Sequence, residues 1–458
     1  MTSDEATEAG RAVRKDVPRS SHGDWTPAAD RPDPVGLIEG QNADRLEWLL
    51  PVRRARMSAS PFTFYRGAAR LMATDLAATP NSGLNVQLCG DAHLSNFGVY
   101  ASPERKLVFD LNDFDETLPG PFEWDVKRLA ASFAIAAQNV ELGDEVARKL
   151  AERVTEVYRN AMAEFAERSW LEMWYAHLPF DDLLELSKSR GASKKALKRG
   201  EKFAKKARSK DNLRAAQKLV DRSGDAPRFR SDPPLLVPFD ELPDEAHPDR
   251  RRESVNESLR SYRSSLSGQM QWLFDRYQMV DGAIKVVGVG SVGTRCSVGL
   301  FLGRHESDVL LLQIKEATHS VLEEHLEPSR YERHGRRVVE GQRLLQGTSD
   351  IFLGWSRSST GREFYWRQLK DWKGSADLDN ASHDLLARYA DLCGFTLARA
   401  HAVTGDPTAI AAYLGKGDVF DRAMGEYSIR YAAQNVSDAA KFSAAIAEGR
   451  LEASELQS

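Results

Sequence analysis

The chain has 458 residues, 41% of them hydrophobic and 28% charged, which is enough apolar material for one large core or two to three domain-sized ones and rules out a fibre or a disordered tail. Its formal net charge of −4 gives no global field to attract nucleic acid or an anionic membrane, so such binding would have to come from a local patch. Three cysteines, Cys89, Cys296 and Cys393, lie far apart without CxxC spacing, which argues against a disulfide framework or a zinc site and fits a reducing compartment.

After Met1 the text TSDEATEAGR is acidic, so no secretory signal is expected, and no run of about 18 apolar residues occurs. A cytoplasmic protein without a membrane partner is the expectation. Residues 1–34 are rich in Asp, Glu, Ser, Pro and Arg and poor in large apolar side chains, which reads as a mobile segment. Short helices are predicted over 34–57 and 60–78, and GLNVQLCGD reads as a strand entering the loop CGDAHLSNFG at 89–98. KLVFDLNDFDE is a second strand that ends in acids. PFEWDVKRLAASFAIAAQN, with Trp124, Leu129, Phe133 and Ala136 at helical spacing after Pro-Gly-Pro punctuation, is a largely buried helix.

Helical segments continue to about residue 220. Within them residues 188–210 are strongly basic, with Glu201 the one acid and Phe203 the one aromatic. That is a solvated lysine-rich face or a docking surface for acidic or phosphate-bearing partners, and the scarcity of stacking platforms disfavours nucleic acid. From Arg228 to about Pro248 the chain is proline-rich and acidic, like a linker. Beyond a helix near 254–277, the runs AIKVVGVGSVGTRCSVGLFLG, DVLLLQIKEA, RHGRRVVEGQRLLQG, DIFLGWS and EFYWRQLKD read as β-β-β-α-β-β, a small sheet with one helix. Two helical stretches, 383–406 and 418–435, close the chain.

The chemistry concentrates in a few places. Asp91 and Asn96 stand five apart, the spacing of the catalytic loop in kinase-type phosphotransferases, where an Asp takes the acceptor proton and an Asn holds a metal ion. Gly90 permits a tight backbone there, and His93 is expected to hydrogen-bond within the loop rather than ligate metal. Asp110, Asp113 and Asp115 cluster where a strand ends, and three adjacent carboxylates call for a cation. Asp125 either caps its helix or accepts N–H groups from the catalytic loop. Arg66, in FYRG, could face an anionic group, with a structural salt bridge as the expected role.

Farther on, GVGSVG places Gly288, Gly290, Ser291 and Gly293 between β-type runs, which disfavours a dinucleotide fingerprint and suits a strand-loop-strand cover for ATP phosphates. Lys315 lies in a buried-looking strand, where a lysine needs an anion. Glu340, on the next helix, is the expected carboxylate partner, with Glu324 and Glu332 as substitutes.

CGDAHLSNFG resembles the HGDxHxxN loop of the aminoglycoside phosphotransferase and choline kinase branch of the protein-kinase-like superfamily. NDFDETLPGPFEWDVKR resembles that branch's metal segment and following helix, which puts Asp113 in the metal-ligand place, with Asn96 beside it, and Asp125 in the helix place. GVGSVG, Lys315 and EGQRLLQ resemble a kinase small lobe. From about residue 35 onward the chain is identified as a member of the bacterial domain-of-unknown-function 2252 family, which is grouped with kinase-like proteins.

The order is inverted relative to kinases, and CGFTLARAHAVTGDP, which resembles the helix that ordinarily runs into the catalytic loop, is left near the end. The resemblance therefore implies an α+β, protein-kinase-like two-lobe fold, circularly permuted. Residues 35–227 would form a helical large lobe, 228–283 a linker and connecting helix, 284–372 a small nucleotide-binding lobe, and 373–458 the helices that complete the large lobe. Departures are Cys89 for the usual His, DFD in place of Asp-Phe-Gly, with Asp115 as a possible second ligand, Asp110 as a rival to Asp113, and a long gap between Lys315 and Glu340.

The expected function is an ATP- and Mg2+- (or Mn2+-) dependent phosphotransferase acting on an unknown small-molecule or protein acceptor. AMP transfer and a nucleotide-binding pseudokinase scaffold are the alternatives. A metallophosphoesterase is disfavoured because its further His motifs are absent.

Overall fold

The computed structural model describes residues 2–189, 194–224, 226–242, 248–369 and 371–454. It opens with helix α1 (Ser3–Asp16), started by a reciprocal Thr2–Glu5 capping box. The segment expected to be mobile is folded. Arg14 Nε and Arg19 Nη1 donate to the carbonyls of Tyr413 and Leu414 at 2.8 and 2.5 Å, and Arg31 pairs with buried Asp75 and Asp438 at 2.6 and 2.7 Å. Counting apolar residues misjudged this segment because its anchors are arginines, which satisfy helix-end carbonyls and buried carboxylates.

Four helices follow, α2 (Pro34–Asn42), α3 (Leu50–Ser58), α4 (Pro61–Gly67) and α5 (Ala69–Ala77), then strands β1 (Asn85–Leu88), β2 (Phe97–Ala101), β3 (Leu107–Leu111) and β4 (Leu118–Pro121). β1 pairs with β4, so the loop 89–98 and the acidic stretch leave neighbouring ladders; β2 pairs with β3. Helix α6 (Phe122–Asn139) is buried from Phe122 through Ala137, including Glu123, Asp125, Lys127 and Arg128. Helix α7 (Asp144–Ala166) packs along it, and α8 (Trp170–Tyr175), β5 (Leu178–Pro179), α9 (Phe180–Ser189) and α10 (Lys194–Arg208) follow. In the basic segment, Lys194, Lys195, Lys198, Arg199, Lys202, Lys205 and Lys206 are exposed, while Ala204 and Ala207 are buried; 190–193 lie outside the described residues.

The stretch read as linker is built into the second unit. After α11 (Asn212–Leu219), β6 (Val220–Asp221) and β7 (Arg228–Phe229), β8 (Leu236–Pro238) forms one edge of a six-stranded antiparallel sheet. An edge strand tolerates the prolines that suggested a linker. Helices α12 (Pro248–Ser265) and α13 (Gly268–Phe274) precede β9 (Gln278–Lys285), β10 (Cys296–Leu302), β11 (Val309–Glu316), α14 (His334–Leu345), β12 (Gly354–Arg357) and β13 (Glu363–Gln368). The sheet order is β12-β13-β11-β10-β9-β8. Successive side chains on β10 and β11 alternate between two apolar layers. Val298, Leu300 and Leu311 face Ala216 and Phe229, whereas Phe301, Leu310 and Leu312 face Tyr262, Phe274 and Trp366.

Helices α15 (His383–Ala402), α16 (Pro407–Leu414) and α17 (Val419–Ala447) return to the first unit, where α15 and α17 pack on α6 and α7 around the largest core cluster. The fold is mixed α+β with several sheets. No described helix is long and apolar enough to cross a membrane.

Candidate functional site

The loop after β1 is held by the helix that follows β4. Asp125 Oδ2 accepts Cys89 N–H at 2.7 Å and its Oδ1 accepts Gly90 N–H at 3.1 Å. Of the two roles open to Asp125, the structure has the loop-holding one. His401, on α15, lies 3.3 Å from the same carboxylate, and Tyr389 Oη donates to the carbonyls of Leu94 and Phe97 at 3.1 and 2.9 Å. Gly90 has φ +87°, and a Cβ there would lie 2.8 Å from Glu116 Cβ, so this crossing admits no side chain.

Asp91 is gripped by Arg128, which lies on α6 one turn after Asp125. Arg128 Nε and Nη2 reach Asp91 Oδ1 at 2.8 and 2.6 Å. His93 Nε2 is 3.7 Å from Oδ2, beyond hydrogen-bond reach, and its Nδ1 is sealed from solvent without a partner. Burial raises the Asp91 carboxyl above its ordinary range against the pull of Arg128, and burial with Arg128 lowers His93 well below its own. Asn96 donates its amide to Asp91 O at 2.8 Å.

Lys315, on β11, is buried, and its ammonium meets the acidic stretch from two hundred residues away. Nζ pairs with Asp115 Oδ2 and lies 3.6 Å from Asp113 Oδ1. Tyr365 donates to Asp115 Oδ1 at 2.7 Å. Burial would lower Lys315, but Asp113 and Asp115 outweigh it and hold it charged; burial would raise Asp115, but Lys315 and Tyr365 bring it below its usual range. Asp113 Oδ1 is sealed from solvent without a hydrogen-bond partner.

Two expectations need correction. Glu340 pairs with Arg343 at 3.4 Å, not with Lys315. Asp113 and Asp115 take its place because their loop comes up beside β11, while α14 turns Arg337 to that loop. Arg337 donates to Thr117 O at 2.7 Å and Asp115 O at 2.8 Å. Asp110 stands apart from its two neighbours, because its oxygens accept Gly347 N–H and Leu111 N–H, both at 2.8 Å.

The glycine stretch lies against α2 to α4. Val292 is buried with Leu49 and Val52, and three arginines take the stretch's carbonyls. Arg45 Nη1 reaches Val292 O at 2.6 Å, Arg53 Nη1 reaches Gly290 O at 2.7 Å and Arg56 Nη1 reaches Gly288 O at 2.6 Å. Gly288 and Gly293 have positive φ, and Ser291 O accepts from Thr294 Oγ1 at 2.8 Å. Burial lowers Arg45 to about 10, against the opposing charges of Glu116, Asp115 and Glu316. Arg66 lacks the expected salt bridge among the described residues; its Nε, like that of Arg45, is sealed without a partner, and Asp379 and Asp91 are its opposing charges. Arg367 Nη1 donates to Asn112 O at 2.8 Å, and a small open pocket there is lined by Tyr100, Asn112, Asp350, Arg367 and Lys373.

The family model described as "Uncharacterized protein conserved in bacteria (DUF2252)" matches residues 45–445. The chain belongs to this family. No curated protein and no solved structure matches it. The DUF2252 match spans every residue of the site described above, from Arg45 to His401.

Several residues of this site escaped the sequence reading. Arg128 was findable, since Asp125 and Arg128 share a helix face at i, i+3. Tyr365 and Arg367 alternate onto one face of β13, but nothing in EFYWRQ says which face. Arg45, Arg53, Arg337 and Glu116 left no sequence signal, because their partners are backbone groups or distant charges.

Proposed function

We propose that this protein is an ATP- and Mg2+- (or Mn2+-) dependent phosphotransferase acting on a hydroxyl-bearing acceptor, on a kinase-like two-lobe fold whose chain order is circularly permuted. The observation that carries the reading is the approach of Lys315 to Asp113 and Asp115, on a stretch whose Asn112 N–H donates to Asn96 O of the Asp91–Asn96 loop at 2.8 Å. Supporting the permutation, the run β9-β10-β11-α14-β12-β13 is five antiparallel strands with a helix between the third and fourth, and α15 returns to the catalytic-type loop from the far end of the chain.

In this reading each residue has a task. Asp91 Oδ1 is fixed by Arg128, which leaves Oδ2 to accept the acceptor's hydroxyl proton, and the raised affinity of this carboxyl for protons favours that transfer. The donor set suits a hard cation: Asp113 Oδ1, which accepts no hydrogen bond, Asp115 and the amide oxygen of Asn96 are all oxygens. When bound, the divalent ion would neutralise phosphate charge. Lys315, Arg45 and Arg66 would bind and orient the phosphates, with the glycine stretch pinned where its backbone can approach them. Asp125 and Arg337 would keep the two loops in register.

Thermal unfolding with and without Mg2+-ATP tests the reading. At about a hundredfold excess over the dissociation constant, a ligand of the folded state adds about 2.7 kcal/mol, which Asp113→Ala should abolish. ATP labelled at the γ or the α position then separates phosphoryl from AMP transfer, and binding without turnover identifies a nucleotide-binding scaffold. A wild-type protein indifferent to millimolar Mg2+-ATP overturns the reading.

A further inference from the structure

A second group of ligand-type side chains lies outside the cleft, on the segment joining β11 to α14. His319, Glu323 and His334 each offer one ligand atom, and these atoms lie within 4.8 Å of one another. His319 precedes and Glu323 lies within the 3-10 turn Val321–Glu324, with Nδ1 and Oε2 3.4 Å apart, and His334 is the first residue of α14. The two imidazole rings are 4.1 Å apart between centroids, at 56°. We propose that His319, Glu323 and His334 form a site for a borderline divalent transition metal of the Zn2+ class.

Two features favour a metal over an ordinary polar cluster. His334 Nδ1 is sealed from solvent without a hydrogen-bond partner, an arrangement that a buried ring nitrogen tolerates poorly unless something else takes its lone pair. Glu323 is held from behind, accepting Ser320 N–H at 3.2 Å with Arg337 Nε 3.8 Å away, the outer support that orients a ligating carboxylate.

Two imidazoles and one carboxylate suit Zn2+ or Co2+ and not the hard Mg2+ of the cleft, and three protein ligands leave a position open. Tetrahedral ligands sit roughly 3.5 Å apart, so side-chain rotations of about an ångström close the set. Such an ion would clasp the start of α14, which carries Arg337, to the end of the strand that carries Lys315. The site is independent of the nucleotide reading.

The test uses the full chain, stripped with a chelator and titrated with Co2+, whose visible absorption reports four-coordinate nitrogen–oxygen ligation, followed by displacement with Zn2+. Saturable binding in the wild type is expected. His319→Ala, at an exposed position, and His334→Ala should each weaken it by at least about tenfold, while Asp113→Asn leaves it unchanged. No saturable Co2+ binding, wild-type affinity in both histidine variants, or a loss confined to Asp113→Asn each overturns the assignment.

Discussion

Glu116 follows the acidic loop and is wedged against Gly90, with its Oε2 accepting Val321 N–H at 2.7 Å. Burial pushes its carboxyl up from 4.5 to about 7, against Arg337 and with help from Asp115 and Asp91. Between those values the folded chain keeps a proton that the unfolded chain releases, so this group makes the protein less stable as pH rises from about 4.5 to about 7, with no further change above. Integrated between about pH 5 and about pH 8, the loss is about 2.5 kcal/mol. Glu116→Gln keeps the size and an acceptor for Val321 but does not titrate. The stability of the variant relative to wild type should therefore grow by about 2.5 kcal/mol over that interval, read by urea unfolding followed through tryptophan fluorescence. All other titrations are common to both proteins and cancel in the difference. A difference constant to within about 0.5 kcal/mol would show that Glu116 ionises like a free glutamate and refute the buried, charge-crowded setting argued for it.

Asp125→Asn replaces two carboxylate acceptors by one amide oxygen and strands either Cys89 or Gly90 N–H, so a loss of about 1–3 kcal/mol is expected in thermal unfolding; an unchanged midpoint would contradict the loop-holding role. Lys315→Met leaves Asp113 and Asp115 side by side without their ammonium and should cost about 3–5 kcal/mol. Adding Asp115→Asn removes the stranded charge and should recover part of that loss, whereas strictly additive losses in the double variant would mean that the two residues do not interact.

The sequence showed the pieces of the cleft because they are short-range features. The Asp91–Asn96 spacing, the acidic end of β3 and the glycine stretch between β9 and β10 are each written within a dozen residues, where backbone periodicity and side-chain chemistry speak directly. The α6 reading held for the same reason, its apolar positions recurring at helical spacing over a largely buried span. The N-terminal segment misled because an arginine-rich stretch looks solvated until its partners, Asp75, Asp438 and the end of α16, are known. His319, Glu323 and His334 passed unnoticed because their spacing follows no fixed motif and a chain reversal brings them together.

What the chain alone determined, then, was which residue types stand at strand ends and turns, and so which chemistry each turn could carry. Who pairs with whom was left to the tertiary structure. Lys315 could have met Glu340 from the helix or the aspartates from the loop, and the loop has it, while Glu340 pairs with Arg343 and Arg337 of the same helix binds the loop's carbonyls. A buried charge accepts whichever opposite charge the packing of distant segments brings within reach, and that competition is settled by the whole fold rather than by any stretch of it.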